Sequence, residues 1–127
     1  MSQAVNFQQR VVTWLKACFK NTTATDQQER GDRFLEETLE LLQSLGYPRE
    51  RISDLIDYVY GRPPGEPRQE VGGVMVTLAA FCWSAGVDMH EAGETELARV
   101  NTPAMIAKLR AKDEANPKTS SHPGKID

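Results

Sequence analysis

The chain has few residues suited to covalent or redox chemistry. It carries two cysteines, Cys18 and Cys82, and two histidines, His90 and His122, none at metal-ligand spacing. So low a cysteine density excludes a disulfide scaffold and predicts free thiols, buried and in a reducing compartment. His90 follows a helix cap and His122 falls in a polar C-terminal stretch, so both are expected on the surface. No serine, cysteine or histidine stands in a setting that would make it a nucleophile or its base. An excess of positive charge is also missing. Eighteen acidic residues against fifteen basic ones give a net charge of −3, which excludes broad electrostatic attachment to nucleic-acid polymers or anionic membranes. The opening MSQAVNFQQR lacks the basic-then-apolar pattern of a signal peptide. The longest uncharged run, Val71 to Val87, is interrupted by Gly72, Gly73, Ser84 and Gly86. It is expected to be a buried core helix and not a membrane span. A soluble, cytoplasmic protein is the expectation.

Strand-like alternation and internal repeats are absent as well, and what remains is helical periodicity. Val5 to Lys20 sets Phe7, Val11, Trp14, Leu15, Cys18 and Phe19 on one face. After Asn21-Thr22-Thr23, Thr25 or Asp26 caps a second helix that runs to Leu45, with Gly46 as its stop. Pro48 opens a shorter third helix that turns Ile52, Leu55, Ile56 and Val59 inward and ends at Gly61. GRPPGEPRQ is a loop by composition. From about Arg68 to Ala85 the chain is apolar on every side, which predicts a helix buried on every side, either central or packed into a dimer. Trp14 and Trp83 are both expected in the core. Asp88 caps a fifth helix to about Lys112, with a break near Asn101 ahead of Pro103. The expected fold is all-α: one domain of four or five helices over residues 1–112, followed by a polar, disordered tail over 113–127.

One cluster stands out. In RFLEETLELLQSLGY, Glu36, Glu37 and Glu40 crowd the first half of the second helix, and no Lys or Arg follows within a turn. Like charges three and four residues apart repel by a few tenths of a kcal/mol each. At about 100° per residue, the three glutamates form an arc beside the apolar stripe of Phe34, Leu35, Leu39, Leu41, Leu42 and Leu45, with Arg33 in its middle. A solvated acidic face would account for this, and so would a divalent cation held between the carboxylates. Hard cations such as Mg²⁺ take oxygen donors and keep waters and phosphate oxygens in their shell. Glu70, at the head of the apolar helix, is the candidate fourth donor, although the helix dipole alone would also favour a carboxylate there. Gly72-Gly73 is no phosphate loop, because the lysine-containing frame is missing. Two mid-helix glycines point to a close neighbour or to room for a bound group.

EETLE (Glu36 to Glu40), EVGG (Glu70 to Gly73) and GVDMHEA (Gly86 to Ala92), in that order in a helical chain, resemble the all-α nucleoside triphosphate pyrophosphohydrolases. These are the MazG-like proteins, related to dimeric dUTP and dCTP pyrophosphatases and to phosphoribosyl-ATP pyrophosphohydrolase. The likeness covers roughly Gln28 to Lys112. It implies a MazG-type bundle completed by oligomerisation, as a dimer or a dimer of dimers. It further implies Mg²⁺, or Mn²⁺, held by Glu36, Glu37, Glu40 and Glu70, and cleavage of a nucleoside triphosphate to monophosphate and pyrophosphate.

The chain departs from the family pattern at two places. Gly73 stands where E-x-x-D carries aspartate, leaving Glu66 or Glu94 as candidate replacements. Glu96 stands near the position of a phosphate-binding lysine, which leaves Arg99 and Asn101 as candidate phosphate partners. The alternative is a helical module that has kept the fold and lost the chemistry with Gly73.

Overall fold

The computed structural model describes residues 4–115, and among them there are seven helices and no strand. They are α1 (Phe7–Cys18), α2 (Asn21–Ala24), α3 (Gln27–Ser44), α4 (Arg49–Tyr60), α5 (Pro67–Ser84), α6 (Met89–Val100) and α7 (Pro103–Ala115). The chain is all-α as expected. The boundaries follow local chemistry. Asn6 closes a capping box on α1: its side chain accepts from the Gln9 N–H at 2.8 Å while its own N–H donates to Gln9 Oε1 at 2.9 Å. Asp26 Oδ1 accepts the Glu29 N–H at 3.1 Å to start α3, and Asp88 Oδ1 accepts the Glu91 N–H at 2.9 Å to start α6. Gly46 and Gly86 adopt φ of +76° and +71°, the left-handed conformation that stops α3 and α5. Pro103 sits at the first position of α7, where its missing N–H costs nothing, so the expected break at Asn101 separates two helices. The four-residue α2 falls where the sequence shows only a break.

The helices form two compact units, Met1–Glu37 with Gly93–Asp127, and Thr38–Ala92. The first has a core. Trp14 and Cys18 of α1 pack with Leu97 and Val100 of α6 and Leu109 of α7, and Val11, Leu15, Phe19, Met105 and Ile106 ring them. Trp14 Nε1–H donates to the Val100 carbonyl at 3.1 Å, so the indole is buried without an unmet donor. Polar ties fasten the same elements. Asp113 is buried on α7 and accepts from the Lys20 N–H at 2.8 Å and the Thr23 hydroxyl at 2.7 Å. Arg110 donates to the Ala17 carbonyl at 2.6 and 3.1 Å, meeting an acceptor that the end of α1 leaves open. The last helix therefore runs past Lys112 to Ala115, and the rest of the expected tail lies outside the described residues. Both cysteines are free, Cys18 buried and Cys82 half-buried.

The second unit corrects the sequence expectation. Among the described residues of Thr38–Ala92, none is buried. The apolar helix α5 is not enclosed: Val71, Met75 and Val76 are exposed and Trp83 is 84 % exposed, far from the core position expected of it. Leu55, Ile56 and Val59 on α4 are exposed rather than turned inward, and Leu45, just after α3, is exposed too. The physical reason is geometric. A helix apolar on all sides needs neighbours on all sides, and three short helical stretches cannot surround one of their own number. No single helix among the described residues is long and apolar enough to cross a membrane.

Candidate functional site: carboxylates, an arginine and an apolar cleft

α3 is continuous across Glu36, Glu37 and Glu40, so the three carboxylates lie within little more than one turn of one helix. Glu36 and Glu37 belong to the first unit, Glu40 and Glu70 to the second. Within either unit, no three Asp, Glu, His or Cys side chains among the described residues gather as a metal-binding group.

Glu36 has a cationic partner that the spacing rule overlooked, because Arg33 precedes it instead of following. Arg33 Nη1 donates to Glu36 Oε1 at 3.1 Å, and both side chains are half-buried. On its other side Arg33 meets Glu29, with Nε at 3.5 Å from Glu29 Oε1. Arg30 Nη2 lies 3.9 Å from that same oxygen, and its guanidinium stacks over the Phe19 ring at 5.3 Å. Glu29 is only 8 % exposed, and its Oε2 has no hydrogen-bond partner. Burial pushes the Glu29 carboxyl above its ordinary value, opposed by the charges of Arg33 and Arg30. Glu29, Arg30, Arg33 and Glu36 thus form a chain of alternating contacts along α3, with Asp32 as a further acid beside it. The signal was present in the sequence as Glu29-Arg33 and Arg33-Glu36 at one-turn spacing.

Glu37 does something different. It stands at an open cleft of about 260 Å³, lined also by Phe7, Val11, Trp14, Leu97 and Val100, with Glu96 as a second carboxylate. Gly93 lies under Phe7: a Cβ there would stand 3.4 Å from the ring, so a small residue lets the aromatic settle onto α6. The volume falls just below the usual ~300–1,000 Å³ of small-molecule sites, and the mostly apolar lining with a few polar groups matches their chemistry.

Arg99, Glu94 and Glu66 are engaged by residues of this chain. Arg99 holds Glu96 with two hydrogen bonds, at 2.9 and 2.7 Å, and these hold the Glu96 carboxyl below its ordinary value. Asn101 is exposed and borders a second groove with Arg10, Thr13 and Glu94. Glu94 is clamped by Arg10 at 2.5 and 2.6 Å, and Glu66 caps α5 by accepting the Gln69 N–H at 2.8 Å. Both candidates for the missing acidic ligand are therefore already employed. Glu70 is exposed at the head of α5, and its carboxylate folds back over Gly65, where any side chain would collide with it. A Cβ at Gly72 or Gly73 would meet nothing within 4 Å, so no neighbour among the described residues accounts for those glycines. His90 is exposed, as expected, and His122 lies outside the described residues. No family profile, no curated protein and no solved structure matches this chain.

Proposed function

We propose that the chain is a Mg²⁺-dependent nucleotide pyrophosphohydrolase of the MazG-like group, cytoplasmic and homo-oligomeric, converting a nucleoside triphosphate to monophosphate and pyrophosphate. The observation that carries this is the position of Glu37. A carboxylate of the E-E-x-x-E motif stands at the rim of a cleft walled by Phe7 and Trp14. A nucleobase packs on such walls through its π face, and its phosphates then lie beside the acidic helix. The donors Glu36, Glu37, Glu40 and Glu70 are all carboxylates, the oxygen chemistry that Mg²⁺ or Mn²⁺ takes. When bound, the cation neutralises charge developing on the phosphoryl oxygens. The chain's own share is to hold the ion, to orient the attacking water on a glutamate that is not saturated by metal, and to take its proton. Arg99 can reach a phosphate only by releasing Glu96, while the Asn101 amide is already exposed.

Oligomerisation is supported by the second unit, whose apolar side chains on α4 and α5 lack cover in the single chain. Burial against another copy removes them from water at about 25 cal/mol per Å². Glycines 72 and 73, open within the chain, would then let a partner helix approach closely.

A non-catalytic helical module is the second reading. It is favoured by Gly73 in place of aspartate, with Glu66 and Glu94 both committed elsewhere. A pyrophosphate-release screen over all ribo- and deoxyribonucleoside triphosphates with Mg²⁺ and Mn²⁺ separates the two. Turnover of at least one nucleotide is expected, falling on the order of 10²-fold or more in Glu37→Gln, the scale of losing one electrostatic contact to developing charge. Silence across the whole screen would leave the non-catalytic module in possession of the field.

A further inference from the structure

Within the nucleotide reading, on which this step rests, the chemistry of the cleft restricts which bases it takes. Every residue lining it belongs to the first unit, so the cleft lies within one compact body. Its aromatic wall is held in place. The Arg10 guanidinium lies over the Phe7 ring at 5.5 Å, and Gly93 admits the tip of that ring against α6. The lining side chains include one hydrogen-bond donor, the Trp14 indole N–H, and it already donates to the Val100 carbonyl. The other polar side chains, Glu37 and Glu96, are carboxylates, which when ionised accept hydrogen bonds and donate none. Arg99 holds the Glu96 carboxyl below its ordinary value and so ionised at neutral pH. Its two hydrogen bonds also orient Glu96, and they use about two of the roughly four acceptor sites of a carboxylate. Glu96 is thus a positioned acceptor in a mostly apolar cleft.

We propose that Glu96 selects nucleobases with an exocyclic amino group, such as cytosine and adenine, over those with a carbonyl at the same position. The amino N–H donates to the Glu96 carboxylate while the ring packs on Phe7. Uracil and hypoxanthine turn a carbonyl oxygen to the same place, where two acceptors meet and neither has a proton to give. Arg99 is a positioning residue, acting through Glu96.

Two ligand pairs isolate that one group: cytidine against uridine monophosphate, and adenosine against inosine monophosphate. Each is titrated without metal into the full chain, followed by the Trp14 indole N–H signal in NMR spectra. Trp83→Phe, at an exposed residue, identifies which of the two indole signals is that of Trp14. The amino member of each pair should bind wild type roughly tenfold more tightly, the scale of one hydrogen bond to a charged group. Glu96→Gln puts a carboxamide that also donates in place of an acceptor, so the gap should close to about twofold. Uridine monophosphate then binds more tightly and cytidine monophosphate more weakly, whereas damage to the fold would weaken all four ligands together. Arg99→Gln lets the Glu96 carboxylate turn, and the preference should fall to about threefold as preorganisation is lost. Should Glu96→Gln not fold, the wild-type pairs and Arg99→Gln decide. Equal binding within the pairs in wild type, or a preference unchanged by Glu96→Gln, overturns the proposal. So does a Trp14 signal that no monophosphate moves at millimolar concentration, while the hydrolase reading is judged separately by pyrophosphate release. An amino preference in a protein that turns over no triphosphate supports base selection and removes only the chemistry.

Discussion

The two units are built from similar helices yet differ in one respect that organises the rest. Residues distant in sequence supply the first with an aromatic and aliphatic core, and every buried residue of the described chain belongs to it. The second is contiguous, richer in unbroken apolar sequence, and has no buried residue at all. Apolar content therefore does not make a core; enclosure does. α5 is a strongly apolar helix without one buried residue, whereas α1 needs only one face, because α6 and α7 meet that face.

The sharpest way to break this contrast is to cut one leucine from each side. Leu109→Ala, at a residue 5 % exposed, should cost about 2–5 kcal/mol in denaturant unfolding. Leu55→Ala, at a residue 46 % exposed, should cost about 0.5 kcal/mol or less in dilute protein, the usual range for a surface substitution. If the Leu55 cost grows with protein concentration, a second copy covers that face. If it equals the Leu109 cost at every concentration, the contrast between the units is false.

A smaller effect tests the polar fastening of the first unit. Asp113→Ala leaves the Lys20 N–H and the Thr23 hydroxyl without their buried acceptor and should cost about 1–3 kcal/mol. A cost within error of zero would mean that water replaces the carboxylate and that the tie adds nothing.

The smallest expected effect is one of pH. Because the folded state holds the Glu29 proton more tightly than the unfolded chain, this group's contribution is fully present below the ordinary value of 4.5 and is lost as pH rises through the higher folded value. Glu29→Gln carries no titrating proton there. Wild type should thus lose stability relative to the variant as pH rises above 4.5, followed by paired urea midpoints. Parallel curves would show that the flanking arginines cancel the burial.

Local chemistry made much of this legible from sequence. Asp26, Gly46, Pro48, Asp88 and Pro103 each act on their own backbone, so the ends of the helices could be placed without knowing the fold. Trp14 and Trp83 show where that power stops. Both sit in helical runs among apolar neighbours, yet one is enclosed and the other is 84 % exposed, because enclosure depends on which distant element arrives. An all-round apolar pattern, as on α5, carries no direction and cannot distinguish a central helix from an interface. At the candidate site, the glutamates of α3 were visible as a cluster, but their division was not. Glu36 turns to Arg33 one turn back on α3, while Glu37 stands at a cleft whose other walls come from α1 and α6. Glu29 was missed altogether, since a glutamate in a first helical turn looks like a dipole partner at the surface.

The hydrogen bonds from Lys20 and Thr23 to Asp113 span 93 and 90 residues, and the bond from Trp14 to Val100 spans 86. During synthesis the first helix must therefore wait until α6 and α7 have been made before its tryptophan has anywhere to go. At ~5–20 residues per second that wait lasts on the order of ten seconds. Throughout it, the uncovered apolar face of α5 emerges before its unit can be sheltered by anything but another molecule. If a second copy covers that face, the yield of folded chain should rise with how crowded the message is with ribosomes.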